Sequence, residues 1–280
     1  MTNDLIDAKV IKSNSLIEAS YRLSVQEQRI ILAAISQARS DTPITDEIMY
    51  SVSAQSLAKL TGQDLKNTYH ELKEAALRLK RREIRIEKEP DGKAQTSKKV
   101  LIIGWVQSIA YLDSEGRIEL RFNKDILPYI NQLSGYFTLY RLKDVAKMSS
   151  AHAIRLYEMI IRWRHSSSKC EIQIQDLKTA LQLEKDYPRI YDLKKRVIQP
   201  SVDQINEHSD IWLKWDQRKT GRQVTHLTFK FGPKDAHIAE EKPMTKAKFA
   251  KFARPGEELK QAVERAKQEG YRFRFDPYAA

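Results

Sequence analysis

The stretch SAQSLAKLTGQDLKNTYHELKEAALRLK, residues 53–80, decides the fold of this chain. Ser53 is a typical helix N-cap and Gly62 a typical helix end, so the residues between them predict a short helix. A longer helix follows, from about Gln63 to Lys80. Its two faces are apolar (Leu65, Tyr69, Leu72, Ala76, Leu79) and polar (Asn67, His70, Glu74, Arg78, Arg81). This order predicts a helix-turn-helix.

Three strand-like segments follow this motif, at Ile84–Ile86, Val100–Val106 and Ile118–Phe122. The first two are separated by the polar loop 88–99, in which Asp91-Gly92 is a turn signal. A helix-turn-helix followed by a hairpin is the order of a winged helix. We therefore predict a winged helix whose wing tip is this basic loop.

The same order returns later in the chain. A helix over 149–164, a strand over 171–174 and a short helix over 175–183 precede a longer helix from about Pro188 to Asn206. Strands over 211–215 and 224–231 enclose the basic loop 216–222, which predicts a second wing. Pro200 lies inside the second long helix, where proline should kink the helix or end it early.

The predicted fold class is therefore α+β, with two tandem winged-helix domains related by duplication. We expect a flexible N-terminus over residues 1–14, a first winged helix over 15–135, a second over 136–232 and a basic tail over 233–280. The tail includes a possible short helix, 257–268. It is either a flexible or loosely docked appendage or a further phosphate contact.

Charge is the first indication of a partner. The 280 residues include 49 Lys and Arg against 37 Asp and Glu, a formal net charge of +12. This balance favours a polyanion such as nucleic acid, although a merely basic protein would also carry it. Acids outnumber bases in the first 58 residues, and the excess of base is clustered at 80–82, 98–99, 194–196 and 218–219. Such clusters are typical of a phosphate-facing surface.

Several function classes lack their residues. The chain has no phosphate-binding Gly-x-x-x-x-Gly-Lys motif, no two histidines separated by one residue and only one cysteine, Cys170. We therefore expect no catalytic site, no metal and no cofactor. Since no apolar run approaches the roughly 18 residues of a membrane span and no signal sequence is evident, we expect a cytoplasmic protein. Trp212 and Trp215 could stack on bases, but tryptophans in a hydrophobic strand are more often structural.

Three blocks resemble the replication initiators of theta-replicating plasmids with iterons: residues 15–32, 149–158 and 193–206. The resemblance implies two winged helices, of which the first binds the DNA backbone and dimerises and the second recognises iterons. It implies monomers that bind iterons in double-stranded origin DNA, help to open it, and recruit the host initiator and replicative helicase. It also implies dimers that repress their own gene through an inverted repeat, in equilibrium with monomers.

The candidate DNA contacts lie on the polar helix faces and in the basic loops. In the second domain they are Arg189, Lys194, Lys195, Arg196, Gln199, Lys214, Arg218, Lys219 and Arg222. In the first domain they are Asn67, Arg78, Arg81, Lys88, Lys98 and Lys99. Arginine can contact guanine and glutamine can contact adenine, whereas Lys194 and the loop residues suit phosphates. Two alternatives stay open, a dedicated transcriptional repressor and an enzyme such as a nickase or primase.

Overall fold

The computed structural model describes residues 5–38, 44–94, 99–131, 133, 135–234, 242–254, 257–268, 271–273 and 275–278. The chain divides into two compact units, Met1–Phe231 and Gly232–Ala280. Both predicted winged helices belong to the first unit. Within the described ranges, no helix combines the length and the apolar character needed to cross a bilayer.

The N-terminal segment is more ordered than we expected. Residues 9–13 form strand β1 (Lys9–Ser13), which pairs antiparallel with Phe137–Arg141, and helix α1 (Asn14–Glu18) follows. The prediction of a flexible segment over 1–14 is therefore wrong for residues 9–14. The reason is burial: Val10 is fully buried and Lys12 is 1% exposed.

The next helix begins as its capping residues predict. In α2 (Val25–Ile35), Ser24 accepts a hydrogen bond from the Glu27 N–H, and Glu27 accepts one from the Ser24 N–H. This reciprocal capping box fixes the start of the helix. Helix α2 ends at Ile35.

The first helix-turn-helix is confirmed. Strand β2 (Tyr50–Ser53) leads into α3 (Ala54–Thr61), whose N-cap Ser53 accepts a hydrogen bond from the Ser56 N–H. Gly62 has a φ of +74°, a left-handed conformation that turns the chain between the helices without a Cβ penalty. Helix α4 (Leu65–Leu79) then begins after its N-cap Asp64.

The first wing is not where the sequence predicts it. Strands β3 (Glu83–Ile86) and β4 (Leu101–Gly104) form a separate two-stranded sheet. Strands β5 (Val106–Leu112) and β6 (Arg117–Phe122) pair with β2 in the order β2-β6-β5. The wing is therefore the β5–β6 hairpin, with its tip at residues 113–116, and not the loop 88–99. The predicted strand over 100–106 is split because Trp105, which is fully buried, lies where the chain passes from one sheet to the other.

The second winged helix repeats this arrangement. After β7 (Phe137–Arg141) and α5 (Lys143–Ala146), the core helix is α6 (Ala151–Ile161), followed by β8 (Lys169–Gln173) and α7 (Ile174–Ala180). The long helix comprises α8 (Ile190–Leu193), a π-helical turn (Lys194–Ile198) and α9 (Gln199–His208). Strands β9 (Ile211–Thr220) and β10 (Gln223–Pro233) complete a sheet of order β8-β10-β9. In both domains the last strand, β6 or β10, lies in the middle of its three-stranded sheet, which supports duplication.

Pro200 does not end the long helix. The π-helical turn lies directly before it, and the Gln199 N–H donates to the carbonyl of Lys194, five residues earlier. Proline lacks an N–H, and in an α-helix its ring would clash with the carbonyl four residues earlier. The wider π-helical turn accommodates both the missing hydrogen bond and the ring. The helix then continues to His208.

A buried ionic cluster, comprising Lys12, Tyr21, Tyr140, Arg155 and Glu158, joins distant parts of the first unit. The Glu158 carboxylate is 2.8 Å from Lys12 Nζ, accepts a 2.5 Å hydrogen bond from Tyr140 and lies 3.3 Å from Arg155. Arg155 also donates to the carbonyls of Ile17 and Ala19, each at 2.9 Å. The cluster thereby ties β1, the chain after α1, β7 and α6 into one body.

The charges of this cluster control the ionisation of Glu158. Burial alone would raise the pKa of the carboxyl, but Lys12 and Arg155 act against burial and leave the pKa below its ordinary value. A lowered pKa means that the carboxylate contributes stability above its unfolded pKa. That contribution is lost as the pH falls through the folded pKa.

The second unit has a core of its own. Strand β11 (Lys242–Met244), α10 (Lys246–Phe252), α11 (Leu259–Gln268) and β12 (Tyr271–Phe273) enclose Met244, Phe249, Ala262, Val263 and Ala266, which are all buried. Strands β11 and β12 pair in parallel. We expected a short helix over 257–268 in this tail; α11 is that helix, and the remaining elements are additional.

Glu158→Gln should lower the free energy of unfolding by about 3–5 kcal/mol at neutral pH, because Lys12 and Arg155 would be left buried without their anion. Chemical denaturation measures this change. Asp7→Asn is the control, since the 3.5 Å pair with Lys143 involves a 91% exposed Asp7 and should contribute at most about 1 kcal/mol. The Glu158 effect should shrink below about pH 4.3, where the wild-type carboxyl begins to protonate in the unfolded chain. Equal effects of the two substitutions would contradict this assignment.

Candidate nucleic-acid interface

The long helix of the second winged helix presents cations to solvent. Arg189, at the N-cap of α8, Lys195 and Arg196 are exposed. Arg196 lies 3.7 Å from Asp192 one turn earlier and remains 70% exposed. Within the described part of the chain, Arg189 and Lys195 have no acidic partner. These side chains can contact an anionic ligand without breaking a strong internal pair.

Two polar residues of the same helix contact the wing. Lys194 Nζ donates to Gln217 Oε1 at 3.0 Å, and the Trp215 indole N–H donates to Gln199 Oε1 at 2.9 Å. Gln199 Nε2 in turn donates to Asp203 at 2.8 Å. Lys194 is half-buried, so it is less available than predicted. Gln199 is exposed but held in one orientation, and Trp215 has the structural role that we weighed against base stacking.

Two amides that sequence reasoning missed hold this helix in place. The Asn206 side chain donates to the Leu213 carbonyl at 2.8 Å and accepts from the Leu213 N–H at 2.7 Å. Gln204 Oε1 accepts from the N–H groups of Ser149 and Ser150, at 2.8 and 3.0 Å. The first contact fixes β9 against α9, and the second fixes α9 against the start of α6. Both residues belong to the block 193–206, which carries part of the family resemblance. Membership of this block is the sequence signal that could have identified them.

The second wing is basic, but not all of its cations are free to contact a ligand. Lys214, Lys219 and Arg222 are exposed, and none has an acidic partner among the residues that the structure describes. Arg218 instead forms a two-nitrogen contact with Glu171, with N–O distances of 2.6 to 3.0 Å. Hydrogen bonds from Arg218 hold the pKa of Glu171 below its usual value. Arg218 is therefore paired internally, and its predicted contact with the DNA backbone stays a prediction.

Fewer of the predicted DNA-contacting cations are accessible in the first winged helix. Asn67 and Arg81 are exposed on or directly after α4, as predicted. Arg78 lies 3.4 Å from Glu27, whose side chain is completely buried, and 3.7 Å from Glu74. Arg82 binds Glu27 as well, at 3.1 Å. Arg78 therefore has a structural partner that its position on the polar face could not indicate.

Of the three lysines assigned to the first wing, the two that the structure describes, Lys88 and Lys99, do not lie on it. Lys88 pairs with Glu18 at 2.6 Å, Lys98 lies outside the described residues, and Lys99 is exposed just before β4. The tip of the real wing carries Asp113, which accepts hydrogen bonds from Tyr69 at 2.8 Å and Lys73 at 3.0 Å. These bonds lower the pKa of Asp113 and attach the wing to α4.

Comparison with known proteins agrees with this geometry. The profile of a family described as "Initiator Replication protein, WH1" matches residues 9–161, and that of "Initiator Rep protein, WH2" matches residues 173–231. The chain belongs to the family of initiator replication proteins. The resemblance noted from the sequence, and the two winged helices that it implied, are confirmed. The first profile extends across the boundary predicted at 135–136, which stays a prediction.

Individual relatives are distant. An Escherichia coli "Replication initiation protein" is 26% identical over 226 residues, covering 79% of this chain and 68% of that protein. An E. coli "PI protein" is 25% identical over 251 residues, covering 80% and 82%. The crystal structure of Pi initiator protein in complex with iteron DNA matches with a TM-score of 0.67 at 22% identity, covering 81% of this chain and 97% of that one. This similarity shows that the chain and the Pi initiator protein share a fold.

Asn206→Ala should lower the free energy of unfolding by about 1–3 kcal/mol, because the backbone N–H and C=O of Leu213 lose their partner. Thermal or chemical unfolding measures this change in the free energy of unfolding. Asn67→Ala is the matched control: Asn67 is exposed, and its replacement should change stability by no more than about 0.5 kcal/mol. A neutral Asn206→Ala variant would show that the amide does not hold β9.

Proposed function

We propose that this initiator binds directly repeated sites, or iterons, in the double-stranded origin DNA of a plasmid. It helps to open the origin and recruits the host initiator and replicative helicase. The observation that carries the proposal is the pairing of two winged helices within one compact unit, the second with unpaired cations on its helix and wing. Membership of the initiator family supports it, as does the likeness to Pi initiator protein, whose crystal structure is a complex with iteron DNA.

Base reading is assigned to the long helix of the second domain. Arg189 and Arg196 can each contact guanine through two hydrogen bonds, and Gln199 can do so with adenine. Beyond its hydrogen bonds to Asp203 and Trp215, the Gln199 amide keeps one N–H and one oxygen lone pair. Because these bonds already orient the amide, it can contact a base without rotating. Lys195 lies between these positions and is exposed.

Phosphate contacts are assigned to both domains. Among the described residues, Lys214, Lys219 and Arg222 on the second wing have no acidic partner that DNA would have to displace, whereas Lys194 and Arg218 would first exchange partners. In the first domain Asn67, Arg81 and Lys99 are the accessible candidates. Such contacts fix register and orientation but carry no sequence information.

We further propose that the first domain dimerises and that the dimer represses its own gene through an inverted repeat. Strand β5 lies at the outer edge of the sheet β2-β6-β5, where a strand of a second copy can pair. The alternative function is a dedicated repressor that uses the same fold on an inverted repeat alone. The two functions differ in the DNA arrangement that they protect.

A nuclease footprint of the purified protein on DNA flanking its own gene tests the proposal. We expect regular protection of several direct repeats. Each monomer should cover about two helical turns, since reading helices in adjacent major grooves on one DNA face lie about 10–10.5 bp apart. Protection of one inverted repeat alone would favour the repressor. Absence of protection at moderate salt would contradict DNA binding by these surfaces.

Two exposed arginines should respond differently to alanine. Arg196→Ala should weaken binding to the protected repeat about 10- to 100-fold and relax the base preference at one position, because it removes a base contact. Arg222→Ala should weaken binding to matched and unmatched DNA alike and lower the slope of log K against log salt by about one. Fluorescence anisotropy over a salt series measures both. If Arg196→Ala weakens both DNAs equally, it is not a base reader.

A further inference from the structure

The C-terminal unit has a charge distribution unlike that of the rest of the chain. Residues 242–254 contain four lysines and one arginine and no acid. Lys246, Lys248 and Lys251, all on α10, are exposed. Within the described part of the unit, none of these three has an acidic partner. The opposing face of α10 carries Phe249, which is buried.

Aromatic packing holds this helix in place. The Phe249 ring lies 5.1 Å from that of Phe273, and the Phe252 ring lies 5.4 Å from that of Tyr271, measured between ring centroids. Arg265 donates to the Phe252 carbonyl at 3.0 Å and pairs with Glu257 at 2.7 Å. Arg265 and Glu257 are therefore paired with each other, and the exposed lysines of α10 have no acidic partner among the residues that the structure describes.

We propose that α10 is an additional DNA contact, at which Lys246, Lys248 and Lys251 bind phosphates of duplex DNA beside the site covered by the winged helices. The proposal rests on the proposed function, since it needs the first unit to be on DNA. Lys246 and Lys251 are separated by about 7.5 Å along the helix axis and by about 140° around it. Both lysines therefore border the solvent-exposed side of α10 opposite the buried Phe249, and this side is the proposed DNA-binding face.

Covalent attachment favours DNA over other polyanions. Once the winged helices have bound, the tethered α10 experiences neighbouring phosphates at an effective concentration on the order of millimolar, provided that the linker spans the distance. Surface lysines that bind phosphates release counterions, so their contribution should appear in the salt dependence of affinity. It should be independent of the flanking base sequence.

The test compares two variants of the full chain with equal loss of charge. Lys246→Gln/Lys251→Gln removes two lysines of the proposed face and spares Lys248, whose Nζ lies 4.8 Å from the Tyr271 ring centroid. Lys260→Gln/Lys267→Gln removes two exposed lysines of α11 and is the control. Anisotropy is measured over a salt series with duplexes that either end at the nuclease-protected site or extend beyond it.

On the extended duplex, the α10 variant should lower the slope of log K against log salt by about 2, with the control unchanged. On the trimmed duplex it should bind like the wild type. Lys246→Arg/Lys251→Arg should restore the slope, which separates lost charge from lost folding. An unchanged slope in the α10 variant, or an equal change in the control, overturns the proposal. If the wild type itself binds neither duplex, the proposed function has failed instead.

Discussion

The buried carboxylate of Glu158 is the interaction on which the first unit depends. An isolated buried anion is strongly unfavourable, so Glu158 requires Lys12, Arg155 and Tyr140 around it. Lys12 lies on β1, 146 residues before Glu158, whereas Arg155 and Tyr140 come from α6 itself and from the neighbouring β7. Satisfying one carboxylate therefore fixes β1 against β7 and α6, within the compact unit that contains both winged helices.

The residues that carry the family resemblance serve mainly this internal architecture. Arg29 donates to the carbonyls of Ala146 and Met148, and Gln28 to that of Ala151, which connects α2 to the start of the second domain. Asn206 binds the backbone of β9. The available cations lie on exposed positions between or outside such residues. The chain thus separates the polar groups that define the fold from its exposed cations, and these cations can vary without loss of the fold.

The local parts of this structure could be predicted from the sequence. Ser24, Ser53 and Gly62 set helix ends through neighbouring backbone groups, and apolar spacing set the helix faces. Long-range pairing could not be predicted. The β1–β7 pairing orders a segment expected to be flexible, and the β5–β6 hairpin forms the first wing because it pairs with β2. The partners of the candidate site were equally non-local: Arg78 meets Glu27 and Arg218 meets Glu171, so composition alone overestimated the free cations.

Directed cleavage tests most directly whether both winged helices contact one DNA site as a single body. Cys170 is buried and burial raises its pKa to about 12, so an introduced cysteine can be labelled selectively with an iron chelate. Lys66→Cys and Tyr191→Cys occupy matched positions, each two residues after the N-cap of its long helix. If both long helices lie in adjacent major grooves, we expect two cleavage centres about 10–10.5 bp apart on one face of the DNA. Cleavage from position 191 alone, with none from position 66, would contradict this expectation.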